Sequence, residues 1–176
     1  MEIVIINGRE GSGKDTFVET AKSMLGDFRC FNYSTVDFVK FVATCAGWKG
    51  DKTPENRKFL SDMKRLLTEW HDVPYQRTRV EIRDCMLIAD GNDCLNDSVM
   101  FIHCREPDEI DRFVKDFNAH TLLVSRAAAD EKEASNSSDK GVYDYGYDTI
   151  VENNGDLEEL RKSVRTYITE ILGLTI

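Results

Sequence analysis

The chain has 176 residues, 41% of them hydrophobic, with a formal net charge of −9 and an isoelectric point near 4.9. That length suits one domain with a sizeable core. The acidic balance argues against binding a nucleic-acid polymer, which rewards a basic face through counterion release, but leaves room for a small anion held by a few focused cations.

Ile3 to Ile6 is a short β-branched run, the pattern of a strand buried on both faces of a parallel sheet. Residues 15–25 set Phe17, Val18, Ala21, Met24 and Leu25 on one helical face, and Gly26 is a natural stop. A second strand is expected over Arg29–Tyr33. Ser34-Thr35-Val36-Asp37 then reads as a capping box for a helix carrying Val36, Val39, Ala43 and Ala46, ended by Gly47. Pro54 opens a helix with Phe59, Leu60, Met63, Leu66, Leu67 and Trp70 on one face. Pro74 opens another, with Tyr75, Thr78, Ile82, Cys85, Met86 and Ala89 on one face.

Val99–Ile102 is the third expected strand, followed by a helix from Pro107 bearing Ile110, Phe113, Val114 and Phe117. Thr121–Val124 is the fourth. Residues 127–141 are small, polar and charged, a mobile loop rather than a core element. Thr149–Val151 is a fifth strand, and a last helix from about Asp156 buries Leu157, Leu160, Val164, Ile168 and Ile171. Alternating strands and helices define a doubly wound α/β domain with a parallel five-stranded sheet. The helical stretch 35–90 is the one lapse in the alternation, an insertion after the second strand.

Cys30, Cys45, Cys85, Cys94 and Cys104 are odd in number and form no C-x-x-C pair, so free thiols in a reducing cytoplasm are expected. The opening run Met1–Asn7 lacks a basic region and is too short for a signal peptide or a membrane span, so no membrane association is expected. His71, His103 and His120 show no metal-ligand spacing and read as structural or surface residues.

The strongest signal is Gly8-Arg9-Glu10-Gly11-Ser12-Gly13-Lys14-Asp15-Thr16, a G-x-x-x-x-G-K match between a buried strand and an amphipathic helix. Glycines let the backbone wrap phosphate oxygens, the inward N–H groups and the helix N-terminus add partial positive charge, and Lys14 reaches the β- and γ-phosphates. The phosphate-binding set is therefore Gly8, Glu10, Gly11, Ser12, Gly13, Lys14, Asp15 and Thr16. Asp15 stands where Ser or Thr is usual. Its carboxylate either holds Mg²⁺, directly or through water, or caps the helix, the reading favoured here, with Thr16 taking the metal or phosphate contact.

Gly11-Ser12-Gly13-Lys14-Asp15-Thr16 resembles the loop of the P-loop nucleoside monophosphate kinases. Its G-K-D-T ending is most similar to phage-type deoxynucleoside monophosphate kinases, and G-K-D occurs also in animal-type phosphomevalonate kinases. The element order over nearly the whole chain is compatible with that superfamily. The resemblance implies a single three-layer kinase domain, ATP as phosphoryl donor, Mg²⁺, and small-molecule nucleotides as partners of a monomer or homodimer. It also implies that 35–90 encloses the acceptor and that 127–141 acts as a lid. N-K-x-D and D-x-x-G are both missing, which sets GTPases aside.

Ser34, Asp37 and Lys40 follow the second strand, at the edge where open α/β sheets bind ligands. Together with Arg57, Arg79 and Arg83, whose planar guanidinium groups suit phosphate, they form the expected acceptor set. Arg105 and Arg126 each follow an apolar strand and are the expected catalytic cations beside Lys14, Arg105 either balancing charge on the transferring group or binding the acceptor. Arg105-Glu106-Pro107-x-Glu109-Ile110 resembles the segment after the third strand in the phage-type enzymes. Glu106 is the nearest acid to that strand; it either serves the metal through water or begins the next helix. By the same resemblance, Asn153 and Asn154 lie on the adenine side. The expected activity is ATP-dependent phosphorylation of a nucleoside monophosphate. The alternatives are a kinase of another phosphorylated metabolite, such as phosphomevalonate, and a non-catalytic ATP sensor.

Overall fold

A computed structural model describes residues 1–51, 53–91, 95, 97–130 and 141–176. Five strands form one sheet: β1 (Glu2–Asn7), β2 (Cys30–Ser34), β3 (Val99–His103), β4 (His120–Ser125) and β5 (Thr149–Glu152). Their order is β2-β3-β1-β4-β5, and every pairing is parallel. The helices are α1 (Lys14–Leu25), α2 (Asp37–Cys45), α3 (Pro54–His71), α4 (Val73–Asp90), α5 (Pro107–Phe117), the short α6 (Ala127–Asp130) and α7 (Leu157–Thr166), which runs into a π-helical turn, Tyr167–Ile171. The expected doubly wound α/β fold is the observed one.

The strand period of two sorts the core into halves. Val4, Ile6, Val99 and Phe101 face α1, α7 and the π-helical turn, where Phe17, Val18, Leu160, Val164 and Ile168 cover them. Ile3, Ile5, Met100 and Ile102 face the other way, onto Tyr75 and Ile82 of α4 and Ile110 and Phe113 of α5. Each fully buried Ile or Phe removes enough apolar surface from water to contribute about 1.5–3 kcal/mol. Phe17 meets Phe101 and Tyr167 edge-on, with centroids 6.1 and 5.6 Å apart.

Several local expectations shift. The capping box is half made: the Ser34 N–H donates to the Asp37 carboxylate at 2.8 Å, but α2 starts at Asp37 with Val36 as its cap residue, because Ser34 still belongs to β2. The helix over 54–71 forms, capped by Thr53 Oγ1, yet none of its residues is buried; Phe59, Leu66 and Trp70 face solvent. Of the 35–90 stretch, it is α4 that lies on the sheet, burying Tyr75, Thr78, Ile82 and Ala89 as its periodicity predicts. Leu157 and Ile171 are exposed, at the two ends of the last helical segment, while Tyr167 is buried beside Phe17. Cys30, Cys45, Cys85 and Cys104 are free; Cys94 lies outside the described residues. Of 127–141, residues 127–130 form α6, and 131–140 lie outside the described residues.

Candidate functional site

The carboxyl ends of the strands meet at one sheet edge. Register places Ile6 and Ser34 on either side of His103. The turn after β1, the turn after β2 and residues 104–106 after β3 therefore converge. They open onto a cleft of about 560 Å³ closed on its far side by α3.

The glycine-rich turn is built for close approach. Gly8, Gly11 and Gly13 all have positive φ, and Gly13, at φ 94°, caps α1. A Cβ on Gly8 would run into the Val124 carbonyl and the Ser12 hydroxyl, and one on Gly13 into the Asn153 amide. Two buried asparagines hold the turn from either end. Asn7 Oδ1 accepts from the Gly8 N–H at 2.8 Å, while its Nδ2 donates to Tyr147 Oη at 2.7 Å. Tyr147 in turn donates to the Val142 carbonyl, and burial pushes its phenol up to about 12. At the other end Asn153 Nδ2 donates to the Ser12 carbonyl at 2.8 Å. The Ser12 hydroxyl is fully buried with no hydrogen-bond partner among the described residues.

Lys14, at the first position of α1, lines the cleft beside Asp15. The Asp15 carboxylate is 83% exposed and lies 3.8 Å from His103 Nδ1. His103 occupies the end of β3, and burial holds its imidazole below the usual range, against the pull of Asp15. Thr16 is exposed on the next position. Across the cleft stand Ser34, Asp37, Lys40, Arg57, Arg105 and Glu106. Lys40 Nζ pairs with Asp37 at 2.8 Å, and the Arg57 guanidinium faces Glu10 of the glycine-rich turn with both N···O distances at 3.4 Å. Five cations (Lys14, Lys40, Arg57, Lys64, Arg105) and three carboxylates (Asp15, Asp37, Glu106) line the space, so it is locally positive in a chain of charge −9.

Other sequence candidates stand elsewhere. Arg79 pairs with Asp116 at 3.3 Å, and neither it nor Arg83 lines the cleft. Arg126 is exposed at the end of β4, outside the cleft. The Asn154 side chain accepts from the Ala127 N–H at 2.8 Å, as the Asn153 amide is engaged by Ser12. Asn7 and Tyr147, which brace the turn, carry no signal in the sequence, while His103, read from the sequence as structural or surface, stands largely buried at the end of β3 beside Asp15.

Among the described residues no three His, Cys, Asp or Glu side chains cluster to hold a metal ion. Mg²⁺ does not need such a cage, because it is bound by one or two carboxylates together with substrate phosphates and water. Asp15, open to solvent at the cleft wall, fits that donor set.

No protein-family model matches the chain, and no curated protein matches it in sequence. The fold has counterparts among solved structures. The dephospho-CoA kinase of Campylobacter jejuni superposes with a TM-score of 0.55 over 97% of this chain and 98% of that one, with 16% identical residues. A sugar kinase from Janibacter sp. HTCC2649 superposes more loosely, at a TM-score of 0.47, over 96% of this chain and 94% of that one, with 15% identity. The chain therefore shares the five-stranded parallel α/β fold of a kinase.

Proposed function

We propose that this protein is an ATP-dependent phosphotransferase whose acceptor is a nucleoside monophosphate. The observation that carries the reading is a single cleft. It places Lys14 of the glycine-rich turn on one wall and the cations Lys40, Arg57 and Arg105 on the others. A transfer between two phosphorylated molecules needs both to be held by positive charge, in line, in one enclosure.

The donor polyphosphate sits in the turn, where the glycine φ values and the absent Cβ atoms admit it against main-chain N–H groups. Lys14 balances the charge that develops on the transferring group. Arg57 exchanges Glu10 for the acceptor phosphate, and Arg105 and Lys40 complete the clamp. The acceptor phosphate is already a nucleophile, so no general base is required. Asp15 and Thr16 would hold Mg²⁺, which supplies charge neutralisation on the phosphates when bound. Asn153 and Asn154 support the adenine side through backbone position.

A second reading, an ATP-binding sensor without turnover, draws on Asp15 standing in place of the loop hydroxyl and on the nearest acid after β3 being Glu106, three residues beyond the strand's end. A coupled ADP-release assay over all ribo- and deoxyribonucleoside monophosphates separates the two. Robust turnover with at least one is expected. Nucleotide binding with no turnover on any acceptor would favour the sensor.

A further inference from the structure

A second cleft, of about 520 Å³, opens between α3 and α5 and joins the first: Ser61, Lys64 and Glu106 line both. At the junction Lys64 Nζ pairs with Glu109 Oε2 at 3.0 Å, and the Cys104 thiol donates to the same oxygen at 3.3 Å. The side chains are only 21% and 11% exposed, so this pair has been taken largely out of water. Such burial of two charges is costly and does not by itself stabilise a fold. Both bonds to Glu109 fall on Oε2, and Oε1 has no hydrogen-bond partner among the described residues.

The geometry of α3 relates this pair to the phosphate clamp. Arg57, Leu60, Ser61 and Lys64 recur at helical spacing and all line the first cleft. Arg57 and Lys64 are two turns apart on one face, roughly 10 Å along the axis. Between them Leu60, with Val36, Val39 and Tyr33 opposite, gives the cleft apolar and aromatic walls. Along α3 the first cleft thus offers a phosphate cation, apolar walls suited to a flat ring, and then Lys64, whose partner Glu109 lines the second cleft where the two join.

We propose that the Lys64–Glu109 pair reads the hydrogen-bonding edge of the acceptor's nucleobase. Lys64 can only donate and Glu109 can only accept, so the matching edge sets a carbonyl or ring-nitrogen acceptor beside an N–H donor. A heterocyclic base has such an edge. An acceptor ending in a carboxylate does not, and Glu109 repels it. The inference rests on the nucleoside monophosphate reading above and adds the residues that select the base.

Calorimetric titration tests it, with the four ribonucleoside 5′-monophosphates, ribose 5-phosphate as a base-free acceptor, and ATP. The Lys64→Met/Glu109→Leu double variant removes both charges together, so no buried charge is stranded. Glu109→Gln, which keeps the side-chain size, is the second arm, and thermal melting verifies folding of both. The preferred nucleoside monophosphate should weaken at least tenfold, with ribose 5-phosphate and ATP changed less than twofold. Unaltered nucleotide affinity, equal loss for nucleotide and ribose 5-phosphate, or no nucleoside monophosphate binding to the unmodified protein would each overturn the proposal. Base-dependent binding that responds to the variants, without transfer from ATP, would support the base reader and sink only the catalytic reading.

Discussion

Gly13 and Asn153 illustrate how little latitude the turn has. Gly13 combines a left-handed backbone with a flank occupied by the Asn153 amide, whose donor satisfies the buried Ser12 carbonyl. Gly13→Ala should therefore lower stability by about 1–3 kcal/mol from backbone strain alone, read as a lower urea midpoint. Asn153→Ala leaves a buried carbonyl unpaired and should cost about 1–3 kcal/mol by the same measurement. Lys14 has a different signature. Lys14→Ala should leave the melting temperature nearly unchanged while kcat falls about a hundredfold or more. Retention of full transfer would remove Lys14 from the mechanism. The motif made Gly13 and Lys14 legible in the sequence; the partner of Gly13, 140 residues away along the chain, was not.

Among the elements, β4 and the segment before β5 are tied by a reciprocal contact. Asp148 Oδ2 accepts from the Thr121 N–H and hydroxyl at 2.8 and 2.7 Å, and the Asp148 N–H donates back to Thr121 Oγ1. Burial works against the charged form, but the Thr121 bonds and His120 outweigh it and hold the Asp148 carboxyl below the usual carboxylate range. A group whose folded pKa is depressed contributes stability that is complete above its unfolded value, near 3.8, and lost as pH falls through the folded one. Asp148→Asn should then flatten the stability profile below about pH 4 and leave its shape at neutral pH unaltered; an unchanged acid limb would contradict this. The helices taught a matching lesson. Periodicity placed the buried face of α4 correctly, yet the equally periodic α3 buries no residue, because it forms the outer wall of a cleft instead of packing on the sheet.

At the scale of the whole molecule, an acidic chain concentrates cations at one sheet edge. Binding there should stabilise the folded state by mass action, about 2.7 kcal/mol at a hundredfold excess of ATP over its dissociation constant. For a chain of this size that is a rise in melting temperature on the order of 5–10 °C. Lys14→Ala should shrink that rise, and its absence in the unmodified protein would remove the nucleotide site altogether. No helix among the described residues is long and apolar enough to cross a membrane, in line with the short apolar runs of the sequence.

Strand existence, the α/β class and the glycine-rich turn follow from local pattern alone. A buried parallel strand must be a continuous apolar run, and a backbone that approaches a ligand must lack Cβ atoms. Which side chains share the cleft could only be decided by the tertiary fold. Arg57 lines it and Arg79 and Arg83 do not, although all three lie on helices of similar composition, because α3 faces the cleft at the strand ends and α4 does not. His103, Asn7 and the Lys64–Glu109 pair acquire their neighbours through strand register and helix docking, contacts that no spacing along the chain encodes.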